Sequence, residues 1–127
     1  MVSAEEAASC FQNVDLDLTF DGDISPLILG FGSALTELHR REDFAAFELR
    51  GVQARGPDQA IEEYWRLVRA LPAQARAAWN GCRRRTVNVG VHAPKGRSVE
   101  FALSRESIER LREIGADLVF TVYRGDG

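Results

Sequence analysis

Four closely spaced aspartates are the first side chains in this sequence that could do chemistry. They are Asp15, Asp17, Asp21 and Asp23. Asp15 and Asp17 alternate with apolar residues, so both side chains would lie on one face of a strand and could bind a hard cation together. A Ca²⁺ loop needs further oxygen ligands at close spacing, and the chain becomes apolar at Ile24. We therefore predict a solvated or arginine-paired acidic face and no metal site.

A run of three arginines, Arg83, Arg84 and Arg85, is the second candidate. It precedes an alternating segment, so Arg84 would join an outward polar row with Asn88 and His92, whereas its two neighbours point the other way. Phosphate or nucleic-acid binding needs a larger basic area, and the net charge of the chain is −3. We expect these polar residues to contact a protein partner, and we do not expect nucleic acid as the ligand.

Histidines and cysteines give no recognisable reaction centre. His39 and His92 have no second histidine at metal-binding spacing, and the sequence has no Cys-x-x-Cys pair. Cys82 follows a predicted helix end and would need a neighbouring base to act as a nucleophile. Cys10 and Cys82 are too few for a disulfide framework. We therefore predict a protein without a cofactor, a metal or an enzymatic activity.

Charge is distributed unevenly along the chain. Residues 1–39 contain acidic residues and no lysine or arginine, and residues 64–99 contain basic residues and no acid. The interpretation we favour is that the two segments meet inside the fold on neighbouring strands. The alternative is a bipolar surface that attracts a charged partner.

Composition and length are those of one globular domain. The chain has 127 residues, of which 45% are hydrophobic and 28% are charged. We assign residues 1–12 to a flexible lead-in and residues 13–124 to a single α+β domain. The sequence has no secretory signal and no membrane-spanning run, so we expect a cytoplasmic protein without a membrane partner.

The acidic residues belong to a predicted strand. Residues 14–20 alternate between apolar and polar side chains, which is the pattern of a strand with one buried face. Ser25 and Pro26 then predict the start of a short helix, with Ile24 and Leu29 in the positions of a hydrophobic staple.

The next segment has two interpretations. Residues 34–40 fit either the end of the preceding helix or a strand, whereas residues 44–51 have the alternation of a strand. We favour a hairpin that turns at residues 41–43.

The strongest helix pattern begins at Gly56-Pro57-Asp58 and carries one apolar stripe. Pro72 interrupts this helix, and a further short helical segment ends at Asn80-Gly81. We assign the two adjacent aromatic residues of the stripe to the core rather than to a ligand site. The stripe consists of Ile61, Tyr64, Trp65, Val68 and Leu71.

The arginine run opens a predicted hairpin. Residues 83–93 alternate as a strand, residues 94–97 form a turn, and residues 99–103 alternate as the returning strand.

A capped helix and a strand complete the predicted domain. Ser104 is the expected N-cap, and Gly115 is the expected residue after the helix end. Residues 117–123 are rich in β-branched and aromatic side chains and predict a strand. The buried edge of the helix is predicted to consist of Ile108, Leu111 and Ile114.

Together these elements predict an α+β fold, a mostly antiparallel sheet with helices packed on one face. Their order is β-α-β-β-α-β-β-α-β. The first six elements follow the ferredoxin-like order, to which a β-α-β unit is added.

The C-terminal third of the chain resembles a bacterial family of domains of unknown function, the one numbered 4279. The resemblance rests on Gly81-Cys82 before a polar-faced strand, Phe101-Ala-Leu-Ser104 before a helix, Ile114-Gly-Ala-Asp117, and a final strand ending in Val122-Tyr123. It implies a small cytosolic bacterial domain and carries no catalytic residues over to this chain. Some families of this style include immunity proteins that neutralise a toxin, an analogy at the level of fold and context.

The sequence therefore favours a non-enzymatic protein-binding module of the immunity or defence-accessory kind. Two alternatives stay open. One is a domain that self-associates through an open sheet edge as a homodimer. The other is a small metal- or ligand-dependent enzyme that uses the aspartate cluster and His92. The expected partner-binding residues are Arg83, Arg84, Arg85, Asn88, His92, Asp15 and Asp17.

Overall fold

The computed structural model of the protein describes residues 11–50, 56–96 and 98–124. Most of the predicted lead-in lies outside these residues, and Phe11 already belongs to the first strand. A 3-10 turn at Gly32–Ala34 precedes the second strand. The elements in chain order are β1 (Phe11–Thr19), α1 (Ser25–Phe31), β2 (Leu35–Arg41), β3 (Phe44–Leu49), α2 (Pro57–Arg69), α3 (Ala73–Asn80), β4 (Arg84–Ala93), α4 (Arg105–Ile114) and β5 (Asp117–Arg124).

The strands form one sheet with the spatial order β2-β3-β1-β4-β5. The contacts among the first four strands are antiparallel, and β5 is parallel to β4. Strand β3 lies between β1 and β2, which is the split arrangement of a ferredoxin-like unit. The predicted α+β class and the mostly antiparallel sheet are confirmed. The segment with two interpretations forms strand β2, and the hairpin turns where the sequence predicts.

The predicted returning strand at residues 99–103 is wrong. Residues 98–104 have no regular secondary structure, although a turn at Lys95 and Gly96 does follow β4. Both sides of β4 are occupied, by β1 and by β5, so no place beside β4 is left for another strand. Val99, Phe101 and Leu103 are half-buried while Ser98, Glu100 and Ala102 are exposed. The alternation therefore records packing of an extended segment on the core, without strand pairing.

Helices α1 to α4 cover the inner face of the sheet. Leu16 of β1 has Phe47 and Val87 as its direct partners on the two neighbouring strands, and all three side chains are buried. Tyr64 of α2 donates a hydrogen bond of 2.7 Å to the Val14 carbonyl oxygen. This contact holds α2 on the central strand, so the predicted core position of Tyr64 is confirmed.

Helix α1 packs closely on α3 because Gly30 has no side chain. A Cβ atom at Gly30 would lie 2.8 Å from the Ala75 Cβ atom, tighter than real side chains allow. The helix ends at Phe31, and Gly32 follows it with φ +58°. The predicted staple is wrong because Leu29 is 81% exposed; Leu27 is the buried leucine of this turn.

Helix α4 has the predicted ends but a different buried edge. The Ser104 hydroxyl accepts the Ser107 backbone N–H at 3.1 Å, and Gly115 follows the helix with φ +69°. Ile108, predicted to be buried, is 54% exposed, whereas Ser107 is fully buried. Ser107 donates a 2.5 Å hydrogen bond to Asp58 Oδ1 in the first turn of α2, and this bond satisfies the buried hydroxyl.

Trp65 joins α2 to α4 at the surface. Its indole N–H donates a 2.6 Å hydrogen bond to the Glu113 carboxylate. The guanidinium carbons of Arg69 and Arg110 lie 4.8 and 5.1 Å from the centre of the indole rings. The side chain is half-buried and has polar partners from its own fold, so its role is to connect the two helices.

Candidate functional site

The side of the sheet opposite the helices carries a row of polar side chains from four strands. Asp15 of β1 pairs directly with Glu48 of β3 and with Asn88 of β4, so the three side chains lie on one face. We call this surface the open face. It comprises Asn13, Asp15, Asp17, Glu48, Thr86, Asn88 and Thr121.

Asp15 is the most perturbed carboxyl on the open face. Its burial, together with the negative charges of Asp17 and Glu48, raises its pKa to about 6. Its Oδ1 atom is buried and has no hydrogen-bond partner within the part of the chain that the structure describes. A half-buried carboxylate with one unpaired oxygen is unstable in its ionised form, so Asp15 is poised to gain a proton or a cation.

Asp17, unlike the Oδ1 atom of Asp15, has a hydrogen-bond partner among the described residues. Burial raises the pKa of Asp17, and a hydrogen bond from the Asn88 side chain acts in the opposite direction. The Thr121 hydroxyl donates to Asn88 Oδ1 at 2.8 Å, which leaves the Asn88 amide group to donate toward Asp17. Thr121, Asn88 and Asp17 thus form a chain of side chains across β5, β4 and β1.

The neighbours of the two aspartates are small. Asp17 lies between Ala46 of β3 and Thr86 of β4, and both of these residues are buried. Gly90, the partner of Asn13, has no room for a side chain, because a Cβ atom would overlap Asn13 Oδ1. Small residues therefore flank the two aspartates on the open face.

The three arginines separate into different environments. Arg84 is exposed and lies 3.3 Å from an Asp117 carboxylate oxygen at the end of the open face. Arg83 lies 3.1 Å from a carboxylate oxygen of Asp21 and 3.7 Å from one of Asp43. Arg83 of the basic segment thus pairs with Asp21 of the acidic segment at the surface, in an exposed ion pair that adds little stability.

Arg85 lies on the helix side of the sheet and is bonded within the fold. Its guanidinium group donates to the carbonyl oxygens of Trp79, Cys82 and Gly115 at 2.9 to 3.0 Å. These carbonyls stand at the ends of α3 and α4, where a positive charge complements both helix dipoles. The structure therefore gives Arg85 a role in joining the two helix ends, and its predicted contact with a partner stays a prediction.

His92 is not brought to the aspartate cluster. It pairs with Tyr123 and lies four residues along β4 from Asn88, which is about 13 Å at the rise of a strand. The enzyme alternative needs these groups within hydrogen-bond reach of one substrate, and this spacing does not provide it. Asn88, Asp15 and Asp17, in contrast, are brought together as neighbours.

Two further candidate sites were considered in the described residues, a metal site and the Cys82 thiol. No group of three or more histidine, cysteine, aspartate or glutamate side chains is placed to hold a metal ion. Burial raises the pKa of the Cys82 thiol, although Arg85 acts in the opposite direction. The thiol donates to the Ala78 carbonyl oxygen at 3.4 Å, so Cys82 has the environment of a packed residue rather than of an activated nucleophile.

Glu48 and Thr121 are among the open-face residues that the sequence did not single out. Glu48 follows from the predicted strand, because Ala45, Phe47 and Leu49 face inward and leave Ala46 and Glu48 outward. Thr121 can be assigned to the open face only when the pairing of β5 with β4 is known, and no local sequence pattern reveals that pairing.

Comparisons with protein-family models, with curated proteins and with solved structures find no match for this chain. The resemblance of the C-terminal third to family 4279 therefore stays a prediction. Among the described helices, none is long and apolar enough to cross a membrane. Function has to be argued from the open face itself.

Proposed function

We propose that the protein is a non-enzymatic protein-binding module whose open face binds a basic group of a protein partner. The observation that carries this proposal is Asp15, a half-buried carboxyl between Asp17 and Glu48 whose Oδ1 atom has no hydrogen-bond partner among the residues that the structure describes. A protein tends to keep such a costly group where the group serves binding, because replacing it would stabilise the fold.

The chemistry of the open face favours a cationic side chain as the ligand. An arginine guanidinium donates several hydrogen bonds in one plane and pairs with two carboxylate oxygens at once. Inserted beside Asp15, it would offset the repulsion that the Asp15 carboxylate receives from Asp17 and Glu48. The small neighbours Ala46 and Thr86 leave the approach to Asp17 unobstructed by their own side chains.

The immunity or defence-accessory role extends this proposal. Toxins that act on nucleic acid have basic surfaces, because they contact phosphates. An acidic open face is complementary to such a surface and would associate with it rapidly at low salt. We propose a bacterial, cytoplasmic protein that neutralises a basic toxin, with Asp15, Asp17 and Glu48 at the centre of the contact and Asn88, Arg84 and His92 around it.

The enzyme alternative keeps one supporting observation. A carboxyl with a pKa of about 6 is suited to general acid–base catalysis near neutral pH. Its proposed partner His92 is about 13 Å along the strand from Asn88. A thermal-shift screen against divalent ions and metabolites tests this alternative, which predicts stabilisation of the wild type that the Asp15→Asn variant loses.

The proposal is tested by affinity capture from native lysate with three forms of the protein as bait. The first is the wild type, and the second is Asp15→Asn/Asp17→Asn/Glu48→Gln. The third, Glu42→Gln/Glu106→Gln/Glu109→Gln, removes the same charge from exposed positions away from the open face. We expect basic proteins that the wild type and the third form retain and the second form loses. Equal retention by all three forms would contradict the proposal.

A further inference from the structure

The two edges of the described sheet differ in how well they are protected against pairing. Edge strand β2 has an irregular register between Glu37 and His39 and is rich in exposed charged residues. Edge strand β5 pairs with β4 in continuous register over its 8 residues, and its interior has no charge, glycine or proline. Natural sheets use charges and bulges to prevent edge pairing, so β5 lacks the protection that β2 has.

Apolar side chains are exposed along β5. Phe120 is 42% exposed, Val122 57% and Tyr123 52%. Phe120 and Val122 pair with the buried residues Val89 and Val91, so they continue the inner apolar face beyond the area that the helices cover. Exposed apolar surface next to unpaired backbone groups is typical of an interaction edge.

Ile108 of α4 is a further apolar side chain at the surface. It is 54% exposed. On the helix it lies opposite to Glu113 and Arg110, which contact Trp65 of α2, so it is on the side of α4 away from α2.

We infer that a second copy of this chain pairs with β5, antiparallel and about a twofold axis centred on Phe120. Directly opposite residues on antiparallel strands share a face, so Phe120 meets its own copy and Leu118 meets Val122. The charges at the strand ends support this direction. In this register Asp117 lies opposite Tyr123 of the second copy, so the acidic end of each strand lies beside the basic end of the other, whereas parallel pairing would place like charges together.

Such pairing continues the sheet across both copies and keeps their open faces on the same side. Two acidic open faces then form one bivalent surface, which raises the effective affinity for a partner with two basic sites. The dimer depends on the β5 edge alone, so its formation does not depend on what the open face binds.

Disulfide trapping tests both the edge and the register. In an antiparallel pair, opposite Cα atoms are about 4.5 to 5.5 Å apart, within the range of about 4.4 to 6.8 Å that a disulfide spans. In a Cys10→Ala background, we expect Phe120→Cys to form a covalent dimer on mild oxidation. Leu29→Cys, at an 81% exposed position on α1, is the control and should stay monomeric. Stronger cross-linking of Thr121→Cys than of Phe120→Cys would overturn the register.

Sedimentation of unmodified protein completes the test. The wild type is expected to have the mass of a dimer at high concentration, and Val122→Lys is expected to have the mass of a monomer with an unchanged circular dichroism spectrum. Leu38→Lys places the same charge on the β2 edge and should leave the dimer intact. A monomeric wild type, or a dimer that Val122→Lys does not dissociate, would overturn the inference.

Discussion

Asp15 and Glu48 are direct cross-strand partners on β1 and β3, two carboxylates on one face of the sheet. Like charges in this relationship destabilise a sheet, and the cost increases when one of them is half-buried. Burial, together with the negative charges of Asp17 and Glu48, raises the pKa of Asp15 to about 6. Under the proposed function the same two carboxylates attract a cation, so we expect stability and binding to be coupled at Asp15.

The first prediction is that Asp15→Asn stabilises the protein above pH 6. The folded-state pKa of about 6 exceeds the ordinary value of 3.8, so the native state binds the Asp15 proton more tightly than the unfolded state does. This contribution to stability is complete below pH 3.8 and is lost as the pH rises through about 6. Asparagine carries no charge and avoids this loss. We therefore expect Asp15→Asn to raise the free energy of unfolding above pH 6 by about 1 kcal/mol, after allowance for solvent screening of a half-exposed group.

Chemical denaturation above and below this pH window measures the effect. Asp15→Asn should be more stable than the wild type above pH 6 and equally stable below pH 3.8. Glu42→Gln, an exposed acid in the β2–β3 turn, is the matched control and should change stability at neither pH. A neutral-pH destabilisation by Asp15→Asn would show that the carboxylate has a stabilising partner.

The second prediction separates Arg85 from Arg84. Arg85→Met removes the donor to three carbonyl oxygens and should lower the free energy of unfolding by about 2 to 3 kcal/mol. Arg84→Met removes an exposed ion pair to Asp117 and should change it by less than about 0.5 kcal/mol. Urea denaturation of both variants checks this difference. Equal small effects would place the Arg85 side chain in solvent rather than at the helix ends.

This difference also decides how the arginine run is tested for binding. A substitution of all three arginines would confuse lost binding with lost stability, because Arg85 joins α3 to α4. Arg83→Glu/Arg84→Glu leaves that junction intact and is the informative variant. If the basic run contacts the partner, we expect this variant to bind more weakly while it remains folded.

The third prediction concerns the junction between the first turns of α2 and α4. Asp58 Oδ1 accepts hydrogen bonds from the Ser104 backbone N–H at 3.0 Å and from the Ser107 hydroxyl. Burial opposes the charge of Asp58, yet the hydrogen bonds from Ser107 and Ser104 leave its pKa below the ordinary value. Its stabilising effect is therefore present above the ordinary pKa and is lost as the pH falls.

Asp58→Ala should destabilise the protein by about 1 to 2 kcal/mol at neutral pH, because it leaves the buried Ser107 hydroxyl without this acceptor. Glu106→Ala, a neighbouring exposed acid in the first turn of α4, is the control and should cost less. Thermal unfolding at neutral and acidic pH measures both. A difference between Asp58→Ala and the wild type that does not shrink in acid would contradict a role of the ionised carboxylate.

The fourth prediction concerns Gly90 on the open face. Alanine there would overlap the Asn13 side chain, and its Cβ atom would lie 3.2 Å from the Tyr123 ring. We expect Gly90→Ala to cost about 1 to 3 kcal/mol, because the buried strand cannot expand. Gly22→Ala, with no atom near the new methyl group, should change stability by less than about 0.5 kcal/mol. Equal melting temperatures of these two variants would show that Asn13 moves aside freely.

Much of the fold follows from local patterns in the sequence. The alternation of Val14, Leu16 and Leu18 predicts both β1 and its buried face, and Ser104 and Gly115 predict the ends of α4. These predictions are correct because each feature depends on a few residues that are neighbours in the sequence. The acidic half of the open face, Asp15 and Asp17, is predictable for the same reason.

The wrong predictions share a different cause. Residues 99–103 alternate like a strand, but pairing depends on a free neighbour, and β1 and β5 occupy both sides of β4. Ile108 has the spacing of the predicted buried edge of α4, but Ser107, which is bonded to Asp58, is buried in its place. Each of these outcomes is decided by a residue distant in sequence.

The central claim is that the ionised Asp15 carboxylate binds a cationic group of the partner. The most direct measurement is the affinity of a captured partner as a function of pH, by titration calorimetry, for the wild type and for Asp15→Asn. The account predicts that wild-type affinity falls about tenfold as the pH decreases through 6, because the proton competes with the cation. Asp15→Asn should bind more weakly and lose that pH dependence. A wild-type affinity that does not change across this range, or a pH dependence that persists in Asp15→Asn, would contradict the account.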